Sequence, residues 1–168
     1  EENIEPFVQA LTTKISSLTD NFEIIIIDDG SKDNTAEIAS KLCNQHNKLL
    51  SFSRNFGKEY ALSAGIDHAQ GDVAILIDAD FQHPIETIDT FVQTWCQGFD
   101  MVYGVRDNRR SESLVKRYFT KAFYWFMKNL GEISVPANAG DFRLLDRKVI
   151  DALKNCQEQS RFMKGLYA

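Results

Sequence analysis

The sequence lacks paired cysteines, long apolar runs and a basic excess, and each absence removes a class of protein. Its three cysteines, Cys43, Cys96 and Cys156, are odd in number, widely spaced and without a Cys-x-x-Cys; His46, His68 and His83 show no metal-ligand spacing with them. This points to reduced thiols packed in or near the core of a cytosolic domain, rather than to a disulfide or a zinc site. The longest uncharged apolar stretches, residues 73–77 and 122–127, fall far short of the roughly 18 residues a membrane span needs. The opening Glu1-Glu2-Asn3-Ile4 has neither the basic start nor the apolar stretch of a signal peptide. No repeat, low-complexity segment or linker interrupts the chain. A net charge of −5, from 19 basic and 24 acidic residues, argues against a general nucleic-acid binder.

What is present is a globular composition: 43% hydrophobic and 26% charged residues, which excludes wholesale disorder. A chain of 168 residues reads as a single domain, burying on folding roughly 70% of the surface its unfolded form exposes. Charge is unevenly placed. Between Arg106 and Lys128 seven bases stand against Asp107 and Glu112, a local +5 that leaves −10 for the rest. Such an island fits either a solvated helix face or a local anionic partner.

Strand and helix patterns alternate. Ile4, Phe7, Val8, Leu11, Ile15 and Leu18 recur at helical spacing, predicting a helix over 3–18. Residues 22–27 form an apolar, β-branched run ending in Asp28-Asp29-Gly30-Ser31, after which Asp33 or Asn34 can cap a helix. Further strands are predicted over 49–53, 72–77, 101–105 and 142–145. Helices are predicted over 58–69, 84–97, 112–130 and 147–155. Apolar strands alternating with helices predict an α/β fold with a mostly parallel central sheet covered on both faces. In such sheets ligands gather at the carboxyl ends of the strands, where the acidic clusters fall. The chain opens on a helix with no strand before it, as if cut.

Asp78-Ala79-Asp80 follows a strand, and in extended backbone side chains two apart point the same way. Two hard oxygen donors suit Mg²⁺ or Mn²⁺, with water and substrate phosphates completing the coordination; a solvated acidic turn before the next helix is the plainer reading. After the earlier strand, Gly30 permits a tight turn, Ser31 can donate, and a carboxylate there can accept from a nucleobase or ribose. An ordinary turn and helix cap is the alternative.

The run Ile26-Ile27-Asp28-Asp29-Gly30-Ser31-Lys32-Asp33-Asn34-Thr35 resembles the nucleotide-binding motif of the family 2 inverting glycosyltransferases, which have the GT-A fold. Arg54-Asn55-Phe56-Gly57-Lys58, with Ala61 and Gly65, is similar to that family's next block. Asp78-Ala79-Asp80-Phe81-Gln82-His83-Pro84 is similar to its metal-binding loop. Tyr103-Gly104-Val105-Arg106 and the run from Gly140 to Arg147 fit its polyprenyl-phosphate branch, which includes dolichol-phosphate mannose synthases and undecaprenyl-phosphate glycosyltransferases.

The resemblance implies a single catalytic domain over 1–168, with its first strand and later acceptor-site elements outside the chain. It implies sugar transfer from a nucleotide-sugar donor to a polyprenyl-phosphate acceptor, at the cytoplasmic face of a membrane. Asp29 would contact the nucleobase, Asp28, Gly30 and Ser31 would shape the turn, and Lys58 would lie near the nucleotide. Asp78 would sit near ribose or metal, Asp80 with Gln82 would hold the Mg²⁺ or Mn²⁺, and Asp141 would be the base or acceptor-orienting carboxylate. Arg106, Arg109, Arg110, Arg117 and Arg143 would cradle the acceptor phosphate, as the arginine fork suits phosphate oxygens. The aromatic, lysine-bearing helix over 112–130 fits either a membrane surface or a core position. Two other functions stay open on sequence: transfer to a saccharide hydroxyl in cell-wall synthesis, and a non-enzymatic phosphoacceptor receiver-like or binding module.

Overall fold

The computed structural model describes residues 1–105 and 139–156. Among these residues ten elements occur, in chain order: α1 (Ile4–Ser16), β1 (Ile24–Asp28), α2 (Thr35–Lys41), β2 (Asn47–Ser51), α3 (Lys58–His68), β3 (Val73–Leu76), α4 (Thr87–Trp95), β4 (Met101–Val105), β5 (Ala139–Asp146) and α5 (Arg147–Asn155). The predicted helix over 112–130 lies outside the described residues.

β1 and β2 pair in parallel, from Ile24 opposite Asn47 to Asp28 opposite Ser51. β3, β5 and β4 form a second, three-stranded sheet in that order. The α/β alternation and the parallel pair are as expected, but β5 runs antiparallel to both its neighbours. An apolar run has the same composition whichever way it points, so strand direction was not legible locally. The reversal matters to the site. It brings the start of β5, rather than its end, to the edge where β3 and β4 terminate.

Helices cover both faces because the strands are apolar on both. Ile4, Phe7, Val8 and Leu11 of α1 occupy one helical stripe and pack with Ile24 and Ile26 of β1, Ile88 and Phe91 of α4, and Phe142 and Leu144 of β5. The opposite face buries Ile66 of α3, Leu145 of β5, and Ile150 and Leu153 of α5. Each fully buried Ile or Leu contributes about 1.5–3 kcal/mol by removal from water. α5 begins where Asp146 caps it, one carboxylate oxygen accepting from the Lys148 amide and the other from the Trp95 indole at 2.7 Å.

The cysteines are unpaired as expected and depart from expectation only in their burial. Cys43 and Cys96 are exposed and Cys156 is half-buried; all three are free thiols. Cys43 and Cys96 sit just past the ends of α2 and α4.

Candidate active site

Two acidic stations lie at the strand ends. Asp28, the last residue of β1, is 5% exposed. Its oxygens accept from the Ser31 amide at 3.2 Å and the Ser51 hydroxyl at 2.8 Å, as a buried carboxylate requires. Asp29 accepts through Oδ1 from the Phe56 amide at 2.7 Å and through Oδ2 from the Gly57 amide at 2.9 Å. Both oxygens of the expected nucleobase contact therefore hold the loop over 54–57. Gly30 has φ 68°, and a Cβ there would lie 2.3 Å from the Arg54 carbonyl carbon. The turn after β1 and the loop after β2 are thus one interlocked unit. On its outer side the Arg54 guanidinium lies 4.8 Å from the Phe56 ring centroid.

The second station joins three elements. Lys58, the first residue of α3, places its ammonium 2.7 Å from Asp78 Oδ2 and 2.8 Å from Asp141 Oδ2. The β3–β5 register explains how: Leu76 pairs with Arg143, so two residues onward Asp78 stands level with Asp141. The β4–β5 ladder is irregular at this point, Tyr103 facing Arg143 but Val105 facing Ala139. Gly140, Asp141 and Phe142 thus stand against Gly104 alone, a bulge of the kind that re-aims side chains. Partial burial pulls the Lys58 ammonium toward easier deprotonation, but the hydrogen bonds and charges of Asp141 and Asp78 outweigh it and hold its pKa above the ordinary value. The lysine is a fixed cation.

Asp80 follows at an exposed turn, its Oδ1 accepting from the Gln82 amide at 2.9 Å. Phe81, between them, has φ 57°, the left-handed region that side chains with a Cβ rarely adopt. Its ring meets Phe7 of α1 edge-on at 5.1 Å, so a core helix braces the turn. His83 stacks on Phe142 at 4.9 Å, tying the far side of the turn to β5 beside Asp141.

The structure therefore gathers Lys58, Asp78 and Asp141, sets Asp80 and Gln82 on the turn beyond, and keeps Asp28, Asp29, Gly30 and Ser31 in the interlocked loops. Arg143, expected at an acceptor phosphate, is 2% exposed inside β5, where Nη2 donates to the Gly140 carbonyl at 2.7 Å. Its register opposite Leu76 and Tyr103 puts it within the sheet. Arg106, Arg109, Arg110 and Arg117 lie outside the described residues. Ser51, the bulge and the Phe81 conformation were missed in the sequence; the facing glycines Gly104 and Gly140 were the available signal for the bulge.

Among the described residues no three His, Cys, Asp or Glu side chains assemble as a metal cage. On the exposed turn Asp80 and Gln82 carry hard oxygen donors, while Asp78 beside them is held by Lys58. That set fits a Mg²⁺-type ion completed by water and phosphate. Among the same residues no helix is long and apolar enough to cross a membrane.

Comparisons with known proteins bear on the family and the fold. Residues 1–154 match the family described as Glycosyl transferase family 2. An uncharacterized glycosyltransferase of Synechocystis is 47% identical over 170 residues, covering 100% of this chain and 54% of the relative. The bactoprenol glucosyl transferase of Shigella phage SfV is 46% identical over 149 residues, covering 86% of this chain and 48% of the relative. The chain thus spans about half the length of these curated relatives. Among solved structures, a mannosyltransferase from Pyrobaculum calidifontis in complex with GDP-Man and Mn²⁺ superposes with TM-score 0.56 at 19% identity, over 88% of this chain and 43% of that one. Glucosyl-3-phosphoglycerate synthase from Mycobacterium tuberculosis, in complex with phosphoglyceric acid, gives TM-score 0.56 at 24% identity, over 88% and 54%. These two share its fold.

Proposed function

The chain belongs to glycosyl transferase family 2, and on that premise we propose that it moves a sugar from a nucleoside-diphosphate sugar to a polyprenyl phosphate, with inversion at the anomeric carbon. The observation that supports the reading is the Lys58 bridge between Asp78 and Asp141, which joins at one sheet edge the carboxylates this reading assigns to the nucleotide and to the acceptor. The 46% identity to a bactoprenol glucosyl transferase supports the acceptor class.

In this reading the interlocked loops around Asp28, Asp29, Gly30 and Ser31 form the wall of the nucleotide pocket. Asp78 and Lys58 line its floor. Asp80 with Gln82 would hold a Mg²⁺ or Mn²⁺ ion, which when bound neutralises charge developing on the departing nucleoside diphosphate. A phosphate oxygen of the acceptor attacks the anomeric carbon as the bond to the diphosphate oxygen breaks. Because that phosphate is already anionic near neutral pH, Asp141 orients it and takes any proton it retains, rather than acting as a strong base. Arg106, Arg109, Arg110 and Arg117 belong by sequence to the acceptor side, with the aromatic stretch after them against the cytoplasmic membrane surface.

The test is a transfer assay on the intact protein with radiolabelled UDP- and GDP-sugars, undecaprenyl phosphate and Mn²⁺. Label is expected in the organic phase. Asp80→Ala should abolish that transfer, and Arg117→Ala should weaken acceptor use more than donor binding. Label appearing only in water-soluble saccharide would overturn the acceptor assignment, and near-normal turnover by Asp80→Ala would remove the metal role.

A further inference from the structure

We propose that Lys58 is a positioning residue for the transfer step, holding the Asp141 carboxylate toward the acceptor and locking the end of β3 to the start of β5. The inference rests on the function proposed above and goes beyond it by giving Lys58 a role through Asp141, besides its place near the nucleotide.

Three observations meet here. First, a helix's opening turn favours anions, because its unpaired N–H groups carry partial positive charge. Lys58 opens α3 against that preference. Lys58 is exposed, and two carboxylates at 2.7 and 2.8 Å offset its unfavourable position. Secondly, Asp141 sits in the bulge opposite Gly104, where the regular ladder does not dictate its direction. An anchor from outside the sheet is what a re-aimed side chain requires, and the ammonium supplies one. Thirdly, extending the register sets Asp78 and Asp141 level across the strand pair, and like charges so placed repel. The lysine between them lowers the group's charge from −2 to −1. An anionic acceptor can then approach Asp141 against less repulsion.

The test compares wild type, Lys58→Met, Lys58→Arg, Asp141→Asn and the double variant Lys58→Met/Asp141→Asn in the intact protein. Lys58→Met should lower kcat roughly tenfold to a hundredfold, the scale seen when a partner that orients a reacting group is lost. The donor KM should change less than kcat, and Lys58→Arg should recover part of the loss. In the Asp141→Asn background Lys58→Met should cost little more, because both act through one carboxylate. Amide hydrogen exchange should quicken at residues 77–79 and 140–142 in Lys58→Met. If that variant fails to fold, exchange at 77–79 in Asp141→Asn reads the same link.

A raised donor KM with kcat kept, additive effects in the double variant, or unchanged exchange at both segments would each overturn the role of Lys58 while transfer by the wild type survives. A wild type that transfers no sugar to any acceptor instead retires the proposed function and the catalytic part of this inference with it.

Discussion

Glu23 is a half-buried carboxylate outside the site that shows how single residues set the terms of stability here. Burial pushes its pKa up, but the hydrogen bond from Lys48 at 2.8 Å, the Gln70 amide at 2.7 Å and the lysine's charge outweigh that, and the net shift is downward from 4.5. A group whose folded pKa is depressed stabilises the protein above its ordinary pKa, and that contribution is lost as pH falls through the folded value. Glu23→Gln should therefore give a shallower loss of stability in acid than wild type, measured by urea unfolding between about pH 5 and 3; identical slopes would contradict the assignment. Gly30 makes a larger claim. Gly30→Ala must hold a Cβ at φ 68° and 2.3 Å from the Arg54 carbonyl carbon. The left-handed conformation costs about 1–2 kcal/mol and overpacking about 1–3 kcal/mol. A loss of about 2–5 kcal/mol in chemical denaturation is expected, together with weaker donor binding; a neutral substitution would show that the two loops are not interlocked. The sequence announced Gly30 as a tight turn, because that need is local. It could not announce that Asp29 holds the amides of Phe56 and Gly57, since those partners lie 27 and 28 residues away.

At the scale of elements, periodicity was a good guide to existence and a poor one to direction. β4 and α5 fall where the apolar spacing put them, and α1 runs Ile4–Ser16 against an expected 3–18. α4 starts at Thr87 rather than at Pro84, because Pro84, Ile85 and Glu86 form a turn, with the Thr87 amide donating to the Pro84 carbonyl at 3.1 Å. β5 was expected as four residues and extends over eight, Ala139–Asp146, because pairing on both sides carries the strand past its apolar segment. Helix-to-sheet packing gives a further test. A Cβ on Gly65 of α3 would come 2.6 Å from Ile27 Cδ1, the movable tip of a side chain. Gly65→Ala should therefore change stability by less than about 1 kcal/mol, the helix gain of Ala over Gly offsetting the adjustment. Gly65→Leu should lose about 1–3 kcal/mol by overpacking. Equal losses in thermal unfolding for the two would mean that Ile27 cannot yield.

For the molecule as a whole, charge is segregated: acidic stations at the described strand ends, and a basic segment over 106–128 carrying +5 in a chain of −5. If that segment receives the lipid phosphate, acceptor KM should rise with added salt more steeply than donor KM, since exposed charges are screened beyond about 8 Å at physiological ionic strength. Parallel salt dependence of the two would move the acceptor contact elsewhere. The family was legible because several short motifs occur in one order along the chain. The working geometry was not: the Lys58 bridge depends on an antiparallel strand and a bulge, both set by pairing between distant residues. In the proposed function these acidic strand ends bind a sugar nucleotide with a divalent ion. Calorimetric or thermal-shift stability with a UDP- or GDP-sugar, with and without Mn²⁺, tests it most directly, and a ligand at 100 times its Kd should raise stability by about 2.7 kcal/mol. The account predicts that gain with the ion present, and its loss both without the ion and in Asp80→Ala. No gain with any sugar nucleotide, or the same gain without metal and in Asp80→Ala, would contradict it.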